Sequence, residues 1–221
     1  MALVKPRAIL FDWDNTLVDT WPVIHKALYN TFTQMNMEPW TIETVRQRVA
    51  KSMRDSFPEV FGANWQEAAK IYQSEYQSIH LEMLKPLVGA RSTLEALHDK
   101  LVFVGIVSNK RGHNLRTEVT HLGWSDYFDC LVGADDAAKD KPSPDPVLHA
   151  LKDSGIVPDA DVWFVGDSVI DMECAKNTGC SAVFYGNAHT PDDSGSTIEG
   201  FPLHALVEDH TVLQKLLQKW V

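Results

Sequence analysis

The sequence has few cysteines, no long apolar run and no recognisable export signal. Its three cysteines among 221 residues lack CxxC spacing. Neither a disulfide framework nor a zinc site is indicated, so we expect reduced, mostly buried thiols. No apolar stretch approaches the roughly 20 residues that a membrane span requires. The N-terminus, MALVKPRAIL, has no long apolar stretch followed by a small-residue cleavage site. These absences predict a cytoplasmic protein that does not associate with membranes.

Basic residues are also in the minority, with 20 Lys and Arg against 30 Asp and Glu and a formal net charge of −10. General nucleic-acid binding requires a basic face that neutralises phosphates, so this composition argues against it. A small anionic substrate is not excluded, because it responds to the local field of its site rather than to the total charge. The composition leaves the oligomeric state open.

Apolar runs and helical patterns alternate along most of the chain. The apolar runs are continuous, as expected for strands that are covered on both faces of a parallel sheet. They are Ala8–Phe11, Leu101–Val107, Cys130–Val132, Val162–Val165 and Ser181–Tyr185. The helical patterns associated with them are Arg91–Lys100, His113–Leu122, Pro146–Ser154 and Leu213–Leu217. This order predicts an α/β fold with a doubly wound, Rossmann-like parallel sheet.

Residues 20–85 interrupt this alternation. They contain three helical patterns with no convincing strand between them, namely Trp21–Met35, Thr41–Phe57 and Asn64–Leu84. Asn64 and Glu67 have the spacing of a capping box at the start of the third pattern. We therefore predict an all-helical cap domain, residues 20–85, inserted into a core domain formed by residues 1–19 and 86–221.

Polar side chains follow three of the predicted strands at their carboxyl ends. Asp12 and Asp14 follow the first strand, Ser108 and Asn109 follow the second, and Asp167 follows the fourth. Ligands of open parallel sheets bind at this edge. The three segments are therefore expected to converge on one site.

Four aspartates of these segments form a candidate metal site. Asp12 and Asp14 leave the same side of an extended backbone, and Asp167 and Asp171 have the spacing of one helix face. A single aspartate usually caps a helix or a turn, but four at one edge would repel one another unless a cation neutralised them. Oxygen donors without neighbouring His or Cys favour Mg²⁺ over zinc. Trp13 is expected to point the opposite way, toward the cap or the core.

Other residues provide candidate phosphate contacts. Ser108 and the backbone N–H groups around Asn109 are placed to bind phosphate oxygens at a helix entry. Lys141 lies in the proline-rich stretch KDKPSPDP, whose restricted backbone would hold an ammonium group in place. Lys139 is a competing candidate, or a solvated surface residue. Thr16 either donates a hydroxyl to the same site or caps a local turn.

In this order and approximate spacing, the segments resemble the four motifs of the haloacid dehalogenase superfamily, and most of all its phosphoglycolate-phosphatase-like branch. The matching segments are DWDNT from Asp12, SN from Ser108, KP from Lys141 and GDSVID from Gly166. The resemblance covers nearly the whole chain, including the helical cap. The family usually has glycine where this chain has Asn15. Asn tolerates left-handed backbone geometry well, so we expect the chemistry to be intact.

The resemblance implies a Mg²⁺-dependent phosphomonoester hydrolase that acts on a small phosphorylated metabolite. Asp12 would be the nucleophile that forms an aspartyl-phosphate, and Asp14 would serve as general acid and then as general base. Mg²⁺ would be held by the carboxylates of Asp12 and Asp167 and by the backbone carbonyl of Asp14. Asp171 would support the metal through water or through a neighbouring ligand. Ser108 and Lys141 would hold the phosphoryl group.

Two other functions remain open at this point. A phosphoglucomutase-like phosphotransferase has the same motifs and differs in its cap, and a non-catalytic module would bind a phosphorylated ligand without turnover. The dehalogenases that name the superfamily lack the second aspartate of the first motif, so Asp14 favours a phosphatase.

The segment Arg46–Arg54 is locally basic within the predicted cap. Lys51 and Arg54 have the i, i+3 spacing of one helix face. We predict that Arg54 or Lys51 binds a second anionic group of the substrate. The alternative is that both lie on a solvated helix face.

Overall fold

A computed structural model describes residues 3–49, 51–100, 102–186, 197–198 and 200–220. Its strands are β1 (Ala8–Phe11), β2 (Val18–Asp19), β3 (Lys85–Pro86), β4 (Phe103–Arg111), β5 (Cys130–Ala134), β6 (Val162–Gly166), β7 (Ser181–Tyr185), β8 (Thr197–Ile198), β9 (Phe201–Pro202) and β10 (Ala205–Val207). Its helices are α1 (Trp21–Gln34), α2 (Ile42–Arg48), α3 (Met53–Phe61), α4 (Trp65–Met83), α5 (Ala90–His98), α6 (Gly112–His121), α7 (Asp145–Leu151), α8 (Val169–Thr178) and α9 (His210–Leu217).

The chain forms two compact units. The first consists of Met1–Val18 and Pro86–Val221, and the second is Asp19–Lys85. The chain passes from one unit to the other at the two-residue strands β2 and β3. The predicted core segment ends at residue 19, whereas the first segment of the first unit ends one residue earlier, at Val18.

The first unit contains a six-stranded parallel sheet in the order β10-β7-β6-β1-β4-β5. All four residues of β1 are buried, and Phe11 aligns with Ile106 of β4 and Val165 of β6. Helices α6 and α7 pack on β4 and β5, while α8 packs on β6 and β7. The predicted α/β fold is confirmed. Because the strands are parallel and in register, the residues that follow β1 and β6 emerge at one edge.

Strand β4 differs from its predicted extent. It continues four residues past Val107, to Arg111, with an irregularity in its pairing with β5. Gly112, directly after β4, and Gly133 of β5 let the two backbones lie close together, since a Cβ on Gly133 would lie 2.5 Å from the Cα of Gly112. The polar stretch from Ser108 is therefore part of a strand, and not the start of the helix that follows. The start of the predicted run, residue 101, lies outside the described residues.

The second unit is helical, and its helices differ in detail from the prediction. The pattern Thr41–Phe57 is divided into α2 and α3, because Val49 has an extended backbone and ends α2. The capping box at Asn64 is wrong. A 3₁₀ turn, Gly62–Asn64, runs directly into α4, so Asn64 has ψ 7° rather than an extended conformation and makes no side-chain capping bond.

The helical unit has its own apolar core. Helices α1, α3 and α4 provide its aromatic centre, in which the ring of Phe61 lies 5.1 Å from that of Phe32 and 5.0 Å from that of Phe57. Nothing in the helices the structure describes has the length and apolar character of a membrane span. Each of the two units buries an apolar core of its own.

The sheet also has an edge strand that the apolar runs did not predict. Strand β10 has three residues and pairs parallel with β7. In the predicted loop Gly186–Gly200, residues 187–196 and 199 lie outside the described residues. Strand β8 lies within this loop and pairs antiparallel with β9, which begins just after it.

Candidate active site

The first motif forms a tight turn directly after β1. The backbone N–H of Asp12 donates to the carbonyl of Val165 at 2.8 Å and so extends the pairing with β6. The N–H of Asn15 donates to the carbonyl of Val18 at 2.7 Å. Asn15 has φ 59°, the left-handed geometry expected where the family usually has glycine. The departure in sequence therefore preserves the turn that presents Asp12 and Asp14.

Lys141 lies at the centre of the site. Its ammonium contacts Asp12 Oδ1 and Asp171 Oδ1, each at 2.7 Å, and its side chain is 3% exposed. Lys139, the competing candidate, is exposed. Burial by itself would lower the pKa of Lys141, but the two carboxylates raise it above its ordinary value. The lysine therefore stays charged beside Asp12.

Asn109 has a different contact from the one predicted for it. Its side-chain amide donates to the carbonyl of Lys141 at 3.1 Å, and its Oδ1 accepts the N–H of Lys141 at 2.9 Å. The side chain thus fixes the backbone that carries the central lysine. The predicted contact between Asn109 and substrate stays a prediction.

Three carboxylates are close enough to share a cation. Oxygens of Asp12, Asp167 and Asp171 all lie within 4.8 Å of one another. Burial raises the pKa of Asp12 to about 6, repulsion from Asp171 and Asp14 adds to this effect, and Lys141 opposes it. Burial and repulsion from Asp12 and Asp171 also raise the pKa of Asp167 well above its ordinary value. The cluster therefore holds more negative charge than its protein partners neutralise.

Asp171 is held firmly by protein donors. Its Oδ2 accepts the N–H of Ser168 at 3.0 Å and the hydroxyl of Ser168 at 2.6 Å, which forms a capping box at the start of α8. Its Oδ1 accepts Lys141. A Cβ on Gly166 would lie 2.4 Å from the Cγ of Asp171, so only glycine fits beside it. Both oxygens of Asp171 therefore serve to fix the lysine and the helix.

Ser108 and Thr16 are both buried. The hydroxyl of Ser108 accepts the N–H of Lys110 at 3.2 Å. The hydroxyl of Thr16 donates to Asp167 Oδ1 at 3.4 Å. The carbonyl of Thr16 accepts the imidazole N–H of His210 at 2.9 Å, so α9 also supports the first motif.

Sequence reasoning missed Lys110 and Glu118. The ammonium of Lys110 lies 2.6 Å from Asp14 Oδ1 and 2.7 Å from Glu118 Oε2. The same Glu118 oxygen accepts the indole N–H of Trp13 at 2.6 Å. One signal was available, since Glu118 lies at i+3 from Leu115 and next to Val119, on the buried face of α6. Trp13 faces the core of the first unit.

The basic segment of the helical unit does not have the predicted geometry. Lys51 precedes Ser52, the N-cap of α3, so Lys51 and Arg54 do not share a helix face. Lys51 instead pairs with Glu59 at 3.0 Å. Arg54 is exposed on α3, and its contact with substrate stays a prediction.

The fold and the site define an α/β enzyme with a carboxylate-rich centre at its strand ends, and comparison with known proteins gives its family. The model of haloacid dehalogenase-like hydrolases matches residues 9–185. A phosphoglycolate phosphatase from Aquifex aeolicus (strain VF5) is 32% identical over 174 residues, which is 78% of this chain and 81% of that protein. The chain therefore belongs to the haloacid dehalogenase-like hydrolase family, as its motifs predicted.

Solved structures agree with this assignment. A hydrolase of the same superfamily from Ehrlichia chaffeensis has a TM-score of 0.66 and 28% identity, and the match covers 99% of each chain. A haloacid dehalogenase-like family hydrolase from Streptococcus pneumoniae has a TM-score of 0.80 and 23% identity, with coverage of 96% of this chain and 97% of that one. The second match, at its lower identity, supports the fold alone.

Proposed function

We propose that the protein is a Mg²⁺-dependent phosphatase that hydrolyses a small phosphorylated metabolite through an aspartyl-phosphate on Asp12. The observation that carries this proposal is the environment of Asp12, which is buried at a strand end with a charged lysine 2.7 Å away and two further carboxylates nearby. The similarity to a phosphoglycolate phosphatase supports the same reaction class.

The residues present fit a magnesium ion. All the candidate donors are oxygens, which is the preference of Mg²⁺. The carboxylates of Asp12 and Asp167 are the proposed direct ligands, with the backbone carbonyl of Asp14, since the Asp14 side chain pairs with Lys110. Both oxygens of Asp171 accept hydrogen bonds from protein donors. Asp171 would therefore support the metal through water or through a neighbouring ligand. Bound Mg²⁺ would offset the charge of the acids and of the phosphoryl group.

The proposed reaction uses the two acids of the first motif in sequence. A carboxylate oxygen of Asp12 bonds to phosphorus as the bond to the ester oxygen breaks, and Asp14 gives a proton to the leaving alcohol. Asp14, now a carboxylate, takes a proton from the water that attacks the phosphorylated Asp12. Inorganic phosphate leaves and Asp12 is restored. Lys141 and Ser108 hold the phosphoryl oxygens in line with the nucleophile.

We further propose that the helical unit is a cap domain that selects the substrate. Caps of this kind exclude water and contact the part of the substrate that does not react. Arg54 is the proposed contact for a second anionic group. A phosphorylated hydroxy acid such as phosphoglycolate has that arrangement of a phosphate and a carboxylate.

The test is release of inorganic phosphate from p-nitrophenyl phosphate, followed by a panel of phosphorylated metabolites that includes phosphoglycolate. We expect turnover with Mg²⁺, none after its removal with EDTA, and none in Asp12→Asn. Absence of turnover with Mg²⁺, or turnover that survives Asp12→Asn, would contradict the proposal. Transfer of the phosphoryl group to a sugar phosphate, without phosphate release, would identify a phosphotransferase instead.

A further inference from the structure

The two acids of the first motif belong to two separate buried charge networks. Asp12 pairs with Lys141, which pairs with Asp171 at the start of α8. Asp14 pairs with Lys110, which pairs with Glu118 in α6. Each acid thus has its own buried lysine, and each lysine has a second acid from a helix. The first network surrounds the proposed nucleophile, and in the second network only Asp14 has a role in the mechanism described above.

The second network is anchored on both sides. Glu118 is fully buried, and its Oε2 accepts both the indole N–H of Trp13 and the ammonium of Lys110. The Trp13 ring packs edge-on against Trp124, with 5.8 Å between the ring centroids. Trp13 lies between the two acids of the motif. The backbone of Glu118 is therefore fixed by α6, and its carboxylate is fixed by a side chain of the first-motif turn. Lys110 therefore has little freedom to move relative to Asp14.

Fold stability alone does not account for this arrangement. Removing a carboxylate and an ammonium from water carries a desolvation penalty for each ion, and well-packed apolar side chains of similar volume are often equally stable in the same place. The ammonium of Lys110 nevertheless lies between two carboxylates, 2.6 Å from Asp14 Oδ1 and 2.7 Å from Glu118 Oε2, and only 5% of its side chain is exposed.

The effect of the lysine is on the direction of the Asp14 side chain. Asp14 Oδ1 lies 2.6 Å from the ammonium of Lys110, so the lysine constrains the direction in which this carboxyl group points. We infer that Lys110, fixed by Glu118 and Trp13, is a positioning residue that holds the Asp14 carboxyl group for proton transfer to the leaving alcohol. This inference rests on the proposed function, in which Asp14 is the acid.

Leaving groups of different basicity separate this role from a structural one. Phenyl phosphate and p-nitrophenyl phosphate have similar shapes, but nitrophenolate leaves readily without a proton and phenolate does not. If Lys110 positions the acid, Lys110→Met will lower kcat/KM for phenyl phosphate by about 10²-fold, the order expected for a catalytic group displaced by about 1 Å. The fall for p-nitrophenyl phosphate will be at least several times smaller. Asp14→Asn will show the same contrast with a larger fall.

Matched variants complete the experiment. Glu118→Gln keeps the shape of the side chain and removes its charge, so it will show the same contrast to a smaller degree, and Lys110→Arg will restore part of the phenyl phosphate rate. Lys139→Met, at an exposed position, will leave both rates unchanged. If Lys110→Met does not fold, Glu118→Gln and Lys110→Arg carry the same comparison.

The outcomes also separate this inference from the proposed function. Equal losses for the two esters in Lys110→Met and Glu118→Gln, or no loss in either variant, would overturn the positioning role while leaving the phosphatase intact. A wild-type protein without Mg²⁺-dependent hydrolysis, or an active Asp12→Asn, would overturn the proposed function itself.

Discussion

The environment of Asp12 predicts that the ionised form of this proposed nucleophile lowers the free energy of unfolding. Burial, with repulsion from Asp171 and Asp14, raises the pKa of Asp12 from 3.8 to about 6 despite the attraction of Lys141. A folded-state pKa above the unfolded value means that the folded state binds more protons between these two values. Stability from this group therefore rises as the pH falls from about 6 toward 4, and the ionised carboxylate is a cost above pH 6. Asp12→Asn removes that charge with little change of shape.

The magnitude follows from the size of the shift. One pKa unit corresponds to about 1.4 kcal/mol, so a shift of about two units sets an upper limit of about 3 kcal/mol. Because Asp12 and Asp167 repel each other, neutralising Asp12 also lets Asp167 ionise more readily. We therefore expect Asp12→Asn to stabilise the metal-free protein at pH 7.5 by about 1–3 kcal/mol.

Urea unfolding in EDTA measures this difference. At pH 7.5 the midpoint of Asp12→Asn should lie above that of the wild type, and the two should approach each other at pH 4.5. Asp153→Asn, which neutralises an exposed carboxylate, is the control and should change little. Added Mg²⁺ should raise the wild-type midpoint and leave that of Asp12→Asn nearly unchanged. If the wild type is as stable as Asp12→Asn at pH 7.5 without metal, the reasoning about burial is refuted.

Three further predictions concern other parts of the molecule. Gly166→Ala places a Cβ 2.4 Å from the Cγ of Asp171, so it should lower both the melting temperature and kcat. The free energy of unfolding in urea should fall by about 1–3 kcal/mol, and an unchanged melting temperature would contradict the close approach of Gly166 to Asp171. Arg54→Glu should raise KM at least about tenfold for a preferred substrate that carries an anionic group besides its phosphate, which equals about 1.4 kcal/mol of binding. If the variant changes KM for this substrate no more than for p-nitrophenyl phosphate, Arg54 does not contact the second anionic group. Burial lowers the pKa of His210, which bonds to Thr16. As the pH falls below about 6.5, the unfolded chain therefore takes up a proton on this imidazole before the folded protein does. The free energy of unfolding should fall between pH 7 and pH 5, and the fall should be smaller in His210→Gln.

The sequence predicted the strands best where they are apolar and fully buried. The predicted bounds of β1 and β7 are those of the structure, and β6 extends one residue further than predicted. Burial on both faces produces a continuous apolar run, which is a local signal. Strand β10 and the end of β4 were missed because three residues are too few for a pattern and because polar residues in a strand resemble a loop. The break between α2 and α3 was missed because the residues on both sides of it have the pattern of a helix.

The sequence alone determined the fold class, the family and the candidate acids. Strand-end position and the spacing of Asp12, Asp14, Asp167 and Asp171 are properties of short segments, so they can be read without knowing which segments meet. The family motifs share this property, so they indicate a hydrolase without any knowledge of the fold.

Only the tertiary structure decided which charges act together. Lys141 and Asp12 are 129 positions apart, and Trp13 and Glu118 are 105 positions apart. The proline that follows Lys141 favours it over Lys139, but no local pattern marks Glu118 as the partner of the first motif. Parallel strand order places β1, β4 and β6 side by side, and burial then makes each charge depend on partners from distant segments. That dependence assigns one lysine to each acid of the first motif.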